Sequence, residues 1–167
     1  MPTDGLLDLI DDNEQVIDTK PRSEVYKHGL NNFQVINVFV KNSEGKLWIP
    51  RRGPNKRIFP LCLDVSVGGH VESGESYYEA FKRETKEEID VDIITNGFTY
   101  LGHLTPQQYG VSAYMEVYEI KLDEVKNYNK DDFVEYYWLY PKEVIERLTN
   151  GDKAKDDLPK LVKHFYL

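Results

Sequence analysis

The stretch Gly69–Val91, which reads GHVESGESYYEAFKRETKEEIDV, decides the fold of this chain. Three of its carboxylates, Glu84, Glu87 and Glu88, stand at positions i, i+3 and i+4, which share one face of a helix. Like charges this close repel each other and destabilise a bare helix. Because the cluster follows a glycine turn and lies beside an arginine, it indicates a bound divalent cation that offsets the repulsion.

The helix that carries these carboxylates has a clear start signal and a clear inner face. Ser76 and Glu79 have the spacing of a capping box, so we predict that the helix begins there. The stripe predicted to face the core consists of Tyr78, Phe81, Thr85 and Ile89. At about 100° per residue, the carboxylates lie roughly a quarter turn from this stripe, at the edge of the buried face. Ala80 falls on the carboxylate side and leaves it uncrowded.

The composition is that of a globular protein whose charge argues against binding to nucleic acid polymers. The 167 residues fit one domain with a core, and 40% of them are hydrophobic. Lysine and arginine number 21 against 29 aspartate and glutamate residues, which gives a formal charge of −8. Affinity for nucleic acid rests on basic contacts to phosphate, so a phosphorylated small molecule is the better candidate partner.

Cysteine content and hydropathy favour a cytoplasmic protein. Cys62 is the single cysteine, so no intrachain disulfide can form and a reducing compartment fits. No apolar run approaches the roughly 18 residues of a membrane span, and the acidic N-terminus lacks a signal-peptide pattern. We therefore expect a cytoplasmic location and no membrane association.

Alternating apolar residues separated by turn signals predict an α+β domain with a layered α/β/α arrangement. Strands are expected over residues 6–11 and 14–18, as a hairpin, and over 33–40, 46–52, 61–67, near 91–94, 98–104, 112–121 and 133–140. Helices are expected over residues 141–149 and 158–166. We divide the chain into an N-terminal hairpin and connector, residues 1–30, packed on a main domain of residues 31–167.

The opening stretch resembles the Nudix box, G-x5-E-x7-R-E-U-x-E-E-x-G-U, in which U is a bulky apolar residue. Seven of the nine fixed positions match. The matching residues are Gly69, Glu75, Arg83, Glu84, Glu87, Glu88 and Val91. Thr85 and Asp90 stand in place of an apolar residue and the last glycine. Thr85 keeps a methyl group for packing, and Asp90 tolerates the left-handed backbone that ends such a helix.

Resemblance to the Nudix superfamily implies an α/β/α sandwich with a mixed central sheet and the loop–helix–loop of the box. It implies that Glu84, Glu87 and Glu88 bind Mg²⁺ or Mn²⁺, with the Gly68 carbonyl as a further ligand. Such an ion polarises a phosphoryl oxygen and lowers the pKa of a bound water. That water attacks phosphorus, and a diphosphate linkage breaks.

The same resemblance implies further catalytic residues. Arg83 is expected to pair with a carboxylate, with Glu75 as the candidate, and to orient the cluster, while Glu87 is assigned to catalysis as well as to the metal. The general base of the family is often a glutamate outside the box. Glu116 and Glu135 are the candidates here, and the alternative for each is a solvent-facing strand glutamate.

A basic loop and several aromatic residues are candidates for substrate binding. Four basic residues fall within seven positions of an acidic protein: Arg51, Arg52, Lys56 and Arg57. They either hold the phosphates of the substrate or form a solvated loop. The aromatic residues that are candidates to stack on a base are Tyr109, Tyr114 and Phe59.

Outside the box, the chain resembles the branch of Nudix proteins akin to isopentenyl diphosphate isomerase. Those isomerases need a cysteine directly before the Gly-His pair, and Gly68 stands at that position here. His70 is retained, but Asn32 stands where a second histidine is expected. His70 is therefore interpreted as a loop-structuring residue, with a metal-ligand role as the alternative.

The resemblance as a whole predicts a metal-dependent hydrolase that acts on a nucleoside diphosphate derivative or a related organic pyrophosphate. Loss of the acid/base thiol argues against the first alternative, an enzyme like isopentenyl diphosphate isomerase. The second alternative is a non-catalytic nucleotide-binding module, and the complete carboxylate set argues against it. The resemblance also allows for a homodimer.

Overall fold

The computed structural model describes residues 4–167 and begins with the predicted hairpin. Strands β1 (Leu6–Ile10) and β2 (Val16–Pro21) pair antiparallel and lead into a short helix, α1 (Arg22–Lys27). The turn between them is fixed by Asp11, whose Oδ1 accepts hydrogen bonds from two backbone amides at 2.9 Å. Leu7, Leu9 and Val25 are buried in one cluster with Phe33 and Ala113, so the hairpin packs on the rest of the chain.

A mixed six-stranded sheet forms the centre of the fold. Its strands are β3 (Gln34–Lys41), β4 (Leu47–Arg52), β5 (Val67–His70), β6 (Thr99–Leu104), β7 (Tyr114–Lys121) and β8 (Phe133–Leu139). The order is β6-β7-β3-β4-β8, and β5 also pairs with β3. Pairing of β3 with β7 is parallel, whereas the other pairings of this sheet are antiparallel.

Helices cover both faces of this sheet. They are α2 (Tyr77–Ile89), α3 (Ile93–Asn96), α4 (Pro106–Tyr109), α5 (Pro141–Thr149) and α6 (Asp157–Tyr166). On one face, Phe81 and Ile89 of α2 are buried in a cluster with Ile36. On the other, Leu161 of α6 is buried in a cluster with Phe39. The predicted α+β sandwich with a mixed sheet is therefore confirmed.

Helix α2 begins and ends as its sequence predicts. The Glu79 amide donates to Ser76 Oγ and the Ser76 amide donates to Glu79 Oε1, each at 3.1 Å, which completes the capping box. At the other end Asp90 takes the left-handed conformation, with φ 56° and ψ 44°.

One residue of the predicted inner stripe of α2 is wrong. Tyr78 is 43% exposed and lies against the Phe98 ring, whereas Ala80 is fully buried. The buried residues of α2 are Ala80, Phe81, Thr85 and Ile89. Because Ala80 is on the carboxylate side, that side of the helix faces the core more than the sequence predicts.

Two of the predicted strands are wrong. Residues 61–67 form no strand ladder, since Leu61 has a φ of 60° and Leu63 makes only isolated bridges; the strand begins at Val67. Near residues 91–94 the chain forms α3 instead, because the Asp92 carboxylate accepts a hydrogen bond from the Ile94 amide and caps a helix. Within residues 4–167, no helix is both long and apolar enough to cross a membrane.

Candidate active site

Strand β5 and helix α2 approach each other at Gly69 and Glu84. A Cβ atom at Gly69 would lie 2.3 Å from Glu84 Cδ and 2.5 Å from Glu84 Oε1, so only glycine leaves room for this carboxylate. At the neighbouring Gly68, a Cβ would lie 3.1 Å from Asn37 Oδ1, which is a much milder contact. The glycine that opens the stretch therefore makes space for the first carboxylate of the cluster.

Arg83 is the centre of the hydrogen-bond network around that carboxylate. Its Nε and Nη2 donate to the two oxygens of Glu75 at 2.8 and 2.9 Å, which confirms the predicted pairing. Its Nη1 donates to Glu84 Oε1 at 2.8 Å, and Nη2 also donates to the His70 carbonyl at 3.1 Å. The hydrogen bonds from Arg83 lower the pKa of Glu75. Arg83 thus fixes the loop before α2 and the Glu84 carboxylate together.

Two carboxylates of the cluster are partly buried, whereas the third is exposed. Burial raises the pKa of Glu84, whose side chain is 14% exposed. Burial also raises the pKa of Glu88, and the adjacent Asp132 carboxylate adds to the effect. Glu88 Oε2 has no hydrogen-bond partner among residues 4–167. Glu87, 56% exposed, lies 3.5 Å from the Arg83 guanidinium and is free to reorient.

These residues fit a hard divalent cation, although the side chains are not gathered around one point. In the part of the chain that the structure describes, no three His, Cys, Asp or Glu side chains already stand at metal-binding distances. Glu84 instead bonds to Arg83, and Glu87 faces solvent. Glu84 and Glu88 are partly buried carboxylates with raised pKa values, and one Glu88 oxygen has no partner within residues 4–167, so a cation placed here would stabilise their charged forms. Carboxylate oxygens are the donors that Mg²⁺ and Mn²⁺ prefer.

The structure separates the two candidates for general base. Glu116 pairs across β7 with Ile36 of β3, and Ile36 pairs with Gly69 of β5, so the three stand in one row on the sheet. Ile36 packs on the α2 side, and Glu116 shares that side because neighbours in a row point the same way. Glu116 accepts a hydrogen bond from Tyr118, whose ring stacks on Phe81 at 3.9 Å.

Glu135 lies on the opposite side of the sheet. It bonds to Arg51, which also donates to the two carboxylate oxygens of Asp152 at 2.9 and 3.0 Å in the connection between α5 and α6. The hydrogen bond from Arg51 lowers the pKa of Glu135. Glu135 is therefore engaged in an ion pair on the α5–α6 side and is not brought together with the box carboxylates.

Most of the predicted basic patch is neutralised by the protein itself. Arg51 has two carboxylate partners, as described above, and Arg52 Nη1 donates to Asp64 Oδ2 at 3.0 Å. Lys56 bonds to Asp132, which is the carboxylate beside Glu88. Arg57 is exposed and makes no ion pair within residues 4–167. Of the four basic residues, Arg57 has its charge available and Lys56 lies next to the box.

Sequence reasoning missed Asp132 and the partner of His70. Tyr26 Oη lies 2.6 Å from His70 Nε2, and the His70 ring stacks on Phe33. Burial lowers the pKa of His70 to about 3, so the ring is neutral and shares a hydrogen bond with the Tyr26 hydroxyl. No local spacing connects Tyr26 or Asp132 to the box. Among the predicted stacking residues, Tyr114 is buried, so its ring has no free face for a base.

Comparison with protein families matches residues 32–162 to the NUDIX domain. The chain belongs to the Nudix family. A Nudix hydrolase of Nostoc sp. is 58% identical over 161 residues, which cover 96% of this chain and 95% of the relative. The crystal structure of a Deinococcus radiodurans protein superimposes with a TM-score of 0.92 at 40% identity, and covers 97% of this chain and 99% of that one. On these comparisons this Nudix protein is an enzyme of the hydrolase type.

The isomerase-like branch is also represented among the relatives of this Nudix protein. Isopentenyl-diphosphate Delta-isomerase of Kocuria rhizophila is 24% identical over 150 residues, which cover 87% of this chain and 83% of the relative. The identity is well below that of the hydrolases. This confirms the predicted relationship to the isomerase branch at a distance, while Gly68 occupies the cysteine position.

Proposed function

We propose that this Nudix hydrolase uses Mg²⁺ or Mn²⁺ to hydrolyse a diphosphate linkage in a nucleoside diphosphate derivative or a related organic pyrophosphate. One observation carries the proposal. Glu84 and Glu88 are partly buried, their pKa values are raised, and one Glu88 oxygen has no partner in the described chain, so the site favours a cation. A divalent cation next to a phosphate-binding loop is typical of diphosphate hydrolysis.

Each residue of the site has a proposed task. Glu84, Glu87 and Glu88 would hold the ion, with the Gly68 carbonyl as a further ligand. When bound, the ion supplies charge for the phosphoryl oxygens and a more acidic water. Arg83 orients Glu84 through its 2.8 Å hydrogen bond and anchors the preceding loop through Glu75.

For the general base we favour Glu116 over Glu135. Glu116 shares the α2 side of the sheet with Gly69, and the Tyr118 hydroxyl orients its carboxylate. Glu135 is held by Arg51 on the other side. The base accepts a proton from the attacking water at a carboxylate oxygen, and the diphosphate bond to the leaving phosphate breaks.

The substrate is a phosphorylated small molecule. We propose that Arg57 and Lys56 bind its phosphates. Lys56 lies near Glu88 because it pairs with Asp132, the carboxylate beside Glu88. Arg51 and Arg52 instead form ion pairs within the protein, which hold the loop in place. The net charge of −8 makes a nucleic acid polymer a poor substrate. We propose that the enzyme is cytoplasmic and, as the family resemblance allows, a homodimer.

A metal-dependent hydrolysis screen tests this proposal. The panel spans nucleoside diphosphates and triphosphates, sugar nucleotides, dinucleoside polyphosphates, coenzyme A and isopentenyl diphosphate, each with Mg²⁺, Mn²⁺ or EDTA. Release of phosphate-containing products in metal is expected, with a loss of about 10²-fold or more for Glu87→Gln and Glu88→Gln. Glu146→Gln, an exposed glutamate of α5, is the matched control and should keep full activity.

Other outcomes would favour the alternatives. Full activity of both box variants would show that these carboxylates do not hold the ion. Conversion of isopentenyl to dimethylallyl diphosphate would indicate an isomerase in spite of Gly68. Tight metal-dependent nucleotide binding without turnover across the panel would indicate a binding module.

A further inference from the structure

A cleft with a largely apolar lining and a basic rim lies between α4 and α6. Its volume is about 350 Å³, and it is lined by Leu104, Tyr109, Val111, Lys160, Lys163 and His164. This volume is at the lower end of the range for small-molecule sites and suits a mononucleotide rather than a larger ligand.

One wall of the cleft is basic although the protein as a whole is acidic. Lys160, Lys163 and His164 stand at i, i+3 and i+4, so they share one face of α6. None of them forms an ion pair with a residue in the range 4–167. Asp157, the acidic residue of this helix, is buried, and its carboxylate accepts hydrogen bonds from the Ser112 amide and hydroxyl. The wall therefore presents uncompensated positive charge, which favours an anion.

The opposite wall is apolar and carries an exposed ring. Tyr109 is 43% exposed, and Leu104 and Val111 form the floor beside it. The His164 ring lies edge-on to the Tyr109 ring, with 5.0 Å between the centroids. Lys160 Nζ donates to the Gly110 carbonyl at 2.6 Å and so ties α4 to α6. These two contacts join α4 to α6 at the cleft.

The cleft is separate from the carboxylate site. Leu104 and Val111 are buried in the same cluster as Leu161, on the α5–α6 side of the sheet. The box helix α2 packs on the other side, through Phe81 and Ile89. A ligand in this cleft therefore has the sheet between itself and the box helix.

From these features we infer that the cleft between α4 and α6 binds a nucleoside monophosphate, independently of the carboxylate site. The base lies on the Tyr109 ring and the apolar floor, because an exposed aromatic ring stacks on any planar base. The phosphate meets the Lys163 and Lys160 ammonium groups, which donate charge-assisted hydrogen bonds, with the His164 ring beside them. Tyr109, predicted to stack on a base of the substrate, takes that role at this second site.

The test is an NMR titration of the ¹⁵N-labelled full-length protein with AMP in EDTA, so that no divalent ion supports binding at the carboxylates. Saturable amide shifts are expected at Gly110, Lys163 and His164. Adenosine and inorganic phosphate should each bind more weakly than AMP, and added salt should weaken AMP binding.

Variants distinguish this site from a general charge effect. Lys163→Glu should weaken AMP binding by about tenfold or more. Lys142→Glu makes the same change on the exposed side of α5 and should leave AMP binding unaltered. Tyr109→Ala should weaken the binding of AMP but not that of inorganic phosphate. Tyr109→Phe keeps the ring and should retain AMP binding. Glu88→Gln should bind AMP as the unmodified protein does, and Lys163→Glu should keep its hydrolysis rate.

Four results would overturn the inference. The first is AMP shifts confined to the box carboxylates. The second is equal affinity of the lysine variants at positions 163 and 142. The third is phosphate binding as tight as AMP binding, which would remove the role of the ring. Salt-insensitive AMP binding by the unmodified protein would argue against the basic wall without the use of any variant.

Discussion

Replacing Gly69 with alanine perturbs the close approach of β5 and α2 by a single methyl group. The new Cβ would lie 2.3 Å from Glu84 Cδ, whereas non-bonded carbons need about 3.5 Å, so the carboxylate must move by about 1.2 Å. Glu84 has little freedom to move, because its side chain is 14% exposed and Arg83 holds it. The backbone at Gly69 does not have a positive φ, so alanine fits the strand conformation itself.

This displacement should damage the site far more than the fold. Mg²⁺ binds oxygen ligands at about 2.0–2.1 Å and tolerates poor geometry badly. Misplacing a catalytic group by about 1 Å can cost about 10²-fold in rate, and we expect a kcat loss of that order for Gly69→Ala. The melting temperature should change by no more than about 2–4 °C, which corresponds to about 1 kcal/mol in a chain of this size.

Gly102→Ala is the matched control, because its Cβ would lie 3.2 Å from Phe165 Cε1 on the α6 side of the sheet and leave Glu84 untouched. The assay combines phosphate release with Mg²⁺ on the best substrate of the panel and Mn²⁺ titration followed by electron paramagnetic resonance. Gly69→Ala should lose activity and Mn²⁺ affinity, and Gly102→Ala should stay within a few-fold of the unmodified enzyme. Equal activity of both variants, or equal loss in both, would refute the role given to this contact.

Three further predictions concern stability and pH. Burial raises the pKa of Glu88, so in metal-free protein the folded state keeps a proton that the unfolded state loses, and stability falls as pH rises above 4.5. Glu88→Gln should therefore raise the melting temperature in EDTA by about 2–4 °C at pH 8 and leave it unchanged at pH 4. A gain in melting temperature at pH 4 but not at pH 8 would contradict this prediction. Arg51→Ala should cost roughly 1 kcal/mol in urea unfolding, because it removes the hydrogen bonds that the largely buried guanidinium donates to Asp152 and to the Leu61 carbonyl, while Arg147 still pairs with Asp152; Arg57→Ala should leave stability unchanged and raise KM. Burial lowers the pKa of His70 to about 3, so its ring NMR signals should stay constant from pH 5 to 9; an inflection near 6.5 would show that the ring is not buried.

Features encoded within a few residues were the ones that the sequence predicted well. The capping box of Ser76 and Glu79 and the left-handed end at Asp90 depend on neighbours along one helix. Pairing of Arg83 with Glu75 also follows from a short separation and complementary charge.

Features that depend on tertiary contacts were harder to predict. Leu63, Val65 and Val67 are all buried, so the alternation over residues 61–67 reported burial correctly, but most of the segment has no strand beside it. Alternation indicates which side chains face the core and not where the backbone hydrogen bonds go.

The charges of the basic loop show the same limit. Arg51 and Lys56 seemed free to bind phosphate, yet their partners, Asp152 and Asp132, lie 101 and 76 residues further along the chain. The side of the sheet on which Glu116 lies depends likewise on the register of β7 against β3, which no local pattern encodes.

The parallel pairing of β3 with β7 also has a consequence for the order of events during synthesis. Gln34 is opposite Tyr114 and Lys41 is opposite Lys121. The central strand β3 can therefore pair with β7 only after β7 leaves the ribosome, about 80 residues later. At about 5–20 residues per second, this delay lasts several seconds or more. During that interval the box helix has only part of its sheet to pack on, and two partly buried glutamates of the mature enzyme remain open to water and to free metal ions.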